Sequence, residues 1–199
     1  MGKTNLINKK TKFTILALLL IIGRLYDVST TYLFTPDLKN ETNVLVKFLG
    51  AGWTSVIIIQ SLLLGLTIYL LYFYFFKFKP ELPTNKDLTL KQFASYLYFN
   101  DKSSFSKLFY KLPTNKKTLL ASTGYIVTMT LLATSFIVGT STTFLLISDN
   151  YTQLYKQGIP IILYTTMIGL AILFTIRFIK LEFKKYQICL TENDRNKEQ

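Results

Sequence analysis

Residues 48–76 read FLGAGWTSVIIIQSLLLGLTIYLLYFYFF, and from Phe48 to Phe76 there is not one charged side chain. A helix needs about 20 apolar residues to cross a hydrocarbon core about 30 Å thick. This block exceeds that, and in lipid it must be helical, because no water is present to satisfy its backbone. Three further blocks resemble it. Phe13 to Phe34 is interrupted only by Arg24 and Asp27, Thr118 to Asp149 is uncharged before its final Asp, and Gln157 to Ile176 is uncharged throughout. The expectation is an all-α membrane protein, one membrane domain over residues 1–199. Its four transmembrane helices are expected at 13–34, 53–76, 118–147 and 158–177. A segment at 77–117 separates the second from the third, and a tail follows at 178–199. The first block has a basic start like a signal peptide, but its apolar run is long and no small-x-small site follows. An uncleaved first span is expected.

Composition narrows the chemistry. Half of the 199 residues are hydrophobic and only 17% are charged, gathered between the apolar blocks, which excludes a soluble enzyme. The chain has no His and one Cys. Ser-His-Asp and Cys-His catalysis, His-ligated metals, CxxC redox chemistry and a disulfide framework are therefore all excluded. No Gly-rich nucleotide loop is present, and no cofactor is implied. Cys189, in the tail, reads as inert.

The 23 basic residues against 11 acids give a net charge of +12, and their placement explains it. Four Lys precede the first block, nine lie between Lys77 and Lys117, and six basic residues follow from Arg177. The loop between the first two blocks holds only Lys39 and Lys47, and the loop between the last two only Lys156. The positive-inside rule puts both termini and the middle segment in the cytoplasm, across what reads as a bacterial cytoplasmic membrane. The charge is thus accounted for by orientation, and no nucleic-acid partner is expected. Tyr72 to Phe76, Tyr26, Tyr32 and Trp53 stand where interfacial aromatic belts are expected.

Between the blocks, Thr35-Pro36-Asp37 has the chemistry of a helix start, and Leu38, Thr42, Leu45 and Leu49 recur at near-helical spacing. A short outer surface helix is expected there. In the middle segment, Leu82-Pro83-Thr84-Asn85-Lys86 recurs as Leu112-Pro113-Thr114-Asn115-Lys116, which reads as two helix-entry turns. Leu90, Phe93 and Leu97, then Phe105, Leu108, Phe109 and Leu112, form apolar stripes. They are expected to make an amphipathic segment in the membrane plane, with a partner-docking face as the alternative. The third block is rich in hydroxyls. Ser135, Gly139 and Thr143 repeat every four residues, a close-packing stripe that Gly169 of the fourth block could face.

Arg24 and Asp27 carry the functional question. They lie about 16 and 21 Å along a helix counted from Phe13, at 1.5 Å per residue, so both sit within the hydrocarbon. Spacing of three puts them on one face, close enough to pair, and Thr30 and Thr31 extend that face. An ion at such depth costs at least about 2.5–3.5 kcal/mol and needs an offset. A mutual pair, a polar cavity, Glu41 and Asn43 folding back, or Gln60 of the second span would each supply one. A buried pair can also simply fix helix docking. Asp27, Asp37 and Glu41 together are the oxygen donors a hard cation takes, but no spacing rule forces them together.

The run from Gly23 to Thr31, with Thr35-Pro36-Asp37-Leu38 and Glu41-Thr42-Asn43, resembles an uncharacterised group of small bacterial multi-pass membrane proteins. Their signature is Arg-x-x-Asp-x-x-Ser-Thr, then Thr-Pro-Asp-Leu, then Glu-x-Asn-Pro, with Val44 here in place of the Pro. The resemblance covers about 25 residues. It brings no activity, and implies only that Arg24, Asp27, Thr30, Glu41 and Asn43 belong to one site.

Two function classes follow. The first is a structural or accessory component acting through helix–helix and partner contacts, as a homo-oligomer or in a larger membrane complex. The second is a small oligomeric transporter or channel with an intramembrane Arg24–Asp27 site. A membrane enzyme comes third, supported only by the carboxylates.

Overall fold

The computed structural model describes residues 3–38, 52–83, 88–102 and 105–195. Six α-helices lie in that range: α1 (Lys3–Phe34), α2 (Trp53–Tyr72), α3 (Leu90–Phe99), α4 (Lys116–Ile147), α5 (Asp149–Lys156) and α6 (Ile159–Arg195). A π-helical turn, Phe73–Lys77, prolongs α2, and a 3-10 turn spans Phe105–Phe109. Among the described residues there is no strand. Four stretches are long and apolar enough to cross a membrane: Asn8–Phe34, Trp53–Lys77, Lys116–Ile147 and Ile159–Thr191. The fold is that of a helical integral membrane protein. Its two ends are called here the Trp53 end and the basic end, where Lys77 and Lys116 lie.

Helix α4 is the hub, packed against α1, α2 and α6. Its buried positions are almost all small or hydroxylated, among them Ala121, Ser122, Gly124, Thr128, Ser135 and Gly139. Its large apolar residues, such as Leu120, Phe144 and Ile147, point outward. That inversion is what lipid demands: large apolar side chains gain nothing by leaving hydrocarbon, whereas small ones let helix backbones approach. At Gly124 the approach is closest. A Cβ there would stand 2.3 Å from the backbone oxygen of Leu70 on α2.

The Ser135–Gly139–Thr143 stripe packs on α1. A Cβ on Gly139 would meet the Tyr26 ring at 2.6 Å. The Tyr26 and Thr143 hydroxyls share a 2.8 Å hydrogen bond. Since Thr143 donates its proton to the carbonyl of Gly139, Tyr26 is the donor in that bond. Gly169 does not face this stripe. It is exposed, with nothing within 4 Å of where a Cβ would stand, because Tyr26 already fills the stripe and α6 packs elsewhere on α4.

Helix boundaries follow local chemistry. Asn115, from the second Leu-Pro-Thr-Asn-Lys copy, caps α4 by accepting from the Thr118 amide at 3.1 Å. Residues 84–86 of the first copy lie outside the described residues. The helix after it, α3, is opened by Thr89, which forms a capping box with Gln92. Gly158, at φ 132, makes the reversal between α5 and α6. Thr35 to Leu38 form a turn closed by the Leu38 amide on the Thr35 carbonyl, with Leu38 at φ 60. The surface helix expected beyond it lies outside the described residues.

At 37 residues and about 55 Å, α6 is longer than the hydrocarbon core is thick. Its tail continues as helix and buries Phe178, Glu182 and Tyr186, spaced four apart. The apolar face of α3 docks there. Phe93 is fully buried, stacks on Tyr186 at 5.3 Å and meets Phe183 edge-on at 5.4 Å. The first apolar stripe of the middle segment is therefore occupied by this chain's own α6. The second stripe differs: Phe109 and Leu112 are 79% and 87% exposed.

Candidate functional site

Arg24 and Asp27 face the interior of the bundle from the C-terminal third of α1. Their ion pair closes at 2.8 Å, with the two side chains 16% and 14% exposed. The geometry is the helical i, i+3 relation, which brings the two within reach without distortion. The guanidinium then reaches two other helices. Nη1 donates to Ser135 Oγ of α4 at 3.3 Å, and Nη2 donates to Gln60 Oε1 of α2 at 2.5 Å. The planar fork of Arg suits this work, since its donors diverge in fixed directions. Three helices meet at one cation, and each contributes one oxygen ligand to it.

The other expected site residues divide. Thr30 is buried but turns its hydroxyl back to the carbonyls of Tyr26 and Asp27, so it caps backbone groups and does not reach the pair. Thr31 faces the same cavity as the pair. Glu41 and Asn43 lie outside the described residues. Ser135, expected from its spacing only as a packing residue, is also a ligand of Arg24. Its hydroxyl had no distinguishing mark among the many on α4, so only the rotation of that helix could single it out.

Beside the pair is a cavity of about 300 Å³. It runs from the helix ends at Leu38, Trp53 and Pro160 down to Arg24, Gln60 and Leu131. Phe34 ends α1 ten residues above Arg24, which makes the depth about 15 Å. Among the described residues, Arg24 and Asp27 are the only charged ones in its lining. Trp53 is fixed at the rim, donating from Nε1 to the Pro36 carbonyl at 2.8 Å and meeting Tyr32 edge-on at 5.2 Å. Below the cavity, Leu20 and Leu71 are fully buried. Among the described residues no three acids or Cys stand together as metal ligands.

A second polar centre, at the basic end, was not anticipated. Glu182 is fully buried. Its Oε1 pairs with Lys185 at 2.5 Å and accepts from the Tyr74 hydroxyl at 3.4 Å, while Oε2 has no hydrogen-bond partner. Lys185 also lies 5.5 Å from the centre of the Tyr74 ring. Tyr98 of α3 closes over this centre. Burial, foremost, pushes its phenol above the ordinary value; the hydrogen bond to Ser122 opposes this, and the Glu182 charge adds to it. The signal in the sequence was an acid midway between Phe178 and Tyr186 on one helical face, with Lys185 three residues on and within pairing reach, and Lys180 and Lys184 on other faces.

No family model matches the chain, and no curated protein or solved structure matches it.

Proposed function

We propose that the chain is an accessory protein of a bacterial cytoplasmic membrane, acting through helix–helix and partner contacts, with both termini and the basic end in the cytoplasm. One observation carries this reading. The intramembrane cation is engaged by Asp27, Gln60 and Ser135, so that its charge joins α1, α2 and α4. A paired, hydrogen-bonded ion of this kind specifies how helices dock. The orientation rests on the Lys and Arg count on either side of the spans. The lipid-facing sides of α2 and α6, with Ile58, Leu62, Ile161 and Ile168 exposed, suit a bilayer, a second copy or a larger complex.

The cavity supports a second reading, a small oligomeric transporter or channel with Asp27 as its ion site and Arg24 as counter-charge. Reconstitution separates the two. Liposomes carrying the purified chain show no ion flux above protein-free liposomes if it is an accessory component, and native membranes yield the chain in an assembly larger than itself. Flux that Asp27→Asn abolishes, with the fold retained, overturns the accessory reading.

A further inference from the structure

We propose that the cavity beside Arg24 and Asp27 is a binding site for a small amphiphile that carries no net charge, with its polar group at the pair and its apolar part against α4 and α6. The inference rests on the cavity alone and stands whether the chain is an accessory or a transport protein.

Three observations lead to it. First, among the described residues the lining contains one cation and one anion, and they are joined at 2.8 Å. Their charges cancel, so a ligand with a net charge would bring an uncompensated ion into a low-dielectric place, where such charges are expensive. An uncharged or zwitterionic group adds hydrogen bonds without that cost. Second, the wall is divided. Gln60, Thr31 and the pair give the α1 and α2 side its polar groups beside Val28 and Val56, while Leu131, Val138, Leu163 and Met167 make the α4 and α6 side mainly apolar, with Thr134 and Tyr164 among them. A ligand that matches both sides has a polar end and a hydrocarbon or aromatic body. Third, about 300 Å³ lies at the lower end of small-molecule sites, which commonly combine an apolar lining with a few placed polar groups. The space suits a small amphiphile and not a two-chain lipid.

Trp53 makes the test direct, because it is the only Trp in the sequence and it lines the cavity. The full chain in zwitterionic nanodiscs is titrated with octyl glucoside, octanoate and octylammonium, each below its micellar concentration, while Trp53 fluorescence is recorded. Octyl glucoside is expected to give a saturable change with apparent affinity about tenfold above either ion, a difference of about 1.4 kcal/mol. Arg24→Gln leaves Asp27 as net charge and shifts the preference to octylammonium. Asp27→Asn shifts it to octanoate. A change of preference in opposite directions is not something a loss of folding produces. Met167→Phe, on α6 and away from the pair, fills the apolar wall and is expected to remove the saturable response while the thermal transition is kept. If either variant at the pair fails to fold, Met167→Phe decides alone. The proposal is overturned if the parent responds without saturation and like Met167→Phe, or if a charged probe saturates at the lowest concentration.

Discussion

Arg24 on α1 donates from Nη2 to Oε1 of Gln60 on α2 at 2.5 Å, and this bond ties together two helices that otherwise meet mainly through α4. A charged donor in a place of low dielectric loses heavily when its acceptor goes, since hydrogen bonds to charged groups contribute about 1.5–3 kcal/mol. Gln60→Leu is therefore expected to destabilise the bundle by that order, read as a lowered melting temperature in mild detergent. Arg24→Gln and Asp27→Asn should each cost more, about 3–5 kcal/mol, because each leaves a buried ion alone. The double variant should recover most of the loss. If instead the single variants melt with the parent, the pair does not hold the fold.

Glycine substitutions separate contact from composition. Gly124→Ala must push α4 away from the Leu70 backbone, which cannot give as a flexible side chain can. A loss of about 1–3 kcal/mol is expected from such overpacking. Gly65→Ala and Gly169→Ala, with nothing within 4 Å, should instead gain up to about 1 kcal/mol of helix propensity. Melting temperatures of the three variants check this, and a uniform response would contradict the packing described.

At the basic end, Lys185→Met removes the ion that faces fully buried Glu182. Lys185 is itself half-exposed, so solvent screens part of the interaction, and a loss of about 1–3 kcal/mol is expected. Adding Glu182→Gln should restore stability, because an amide needs no counter-ion. A double-mutant cycle measures the coupling, and additive effects would show that the two groups do not act as a pair.

Tyr98 sets a pH dependence. Its phenol is raised in the fold, chiefly by burial, so the folded state favours the protonated form. The contribution is fully present below the unfolded phenol value of about 10 and is lost as pH rises through the folded value. Stability of the parent should fall more steeply above pH 10 than that of Tyr98→Phe. Melting curves across the alkaline range test it, and equal slopes would count against a buried phenol at this position.

Much of this was legible in the residue order. The uncharged run expected to span at 53–76 is matched by an apolar stretch at Trp53–Lys77 long enough to cross a membrane, and Asn115 announced the start of α4. Arg24 and Asp27, three apart, lay within pairing distance on any helix. What the pattern left open were faces. Helix α2 is uncharged and its apolar residues are spread round it, so beyond Gln60 little in its sequence marks which side meets α4, and Gly169 looked as suited to close packing as Gly139. The first apolar stripe of the middle segment, Leu90 to Leu97, reads the same whether lipid, a partner or the chain's own α6 covers it.

The sequence by itself determined the number of crossings and the Arg24–Asp27 neighbourhood. Both depend on local quantities: apolar length against bilayer thickness, and the pitch of one helix. Only the tertiary structure decided that Gln60 and Ser135 join Asp27 around Arg24, that Glu182 is buried under α3, and that a cavity remains beside the ion pair. Those outcomes depend on the rotation and tilt of each helix against its neighbours. In lipid that choice is made by close packing and hydrogen bonding between helices, because hydrocarbon covers an apolar face as well as another helix does.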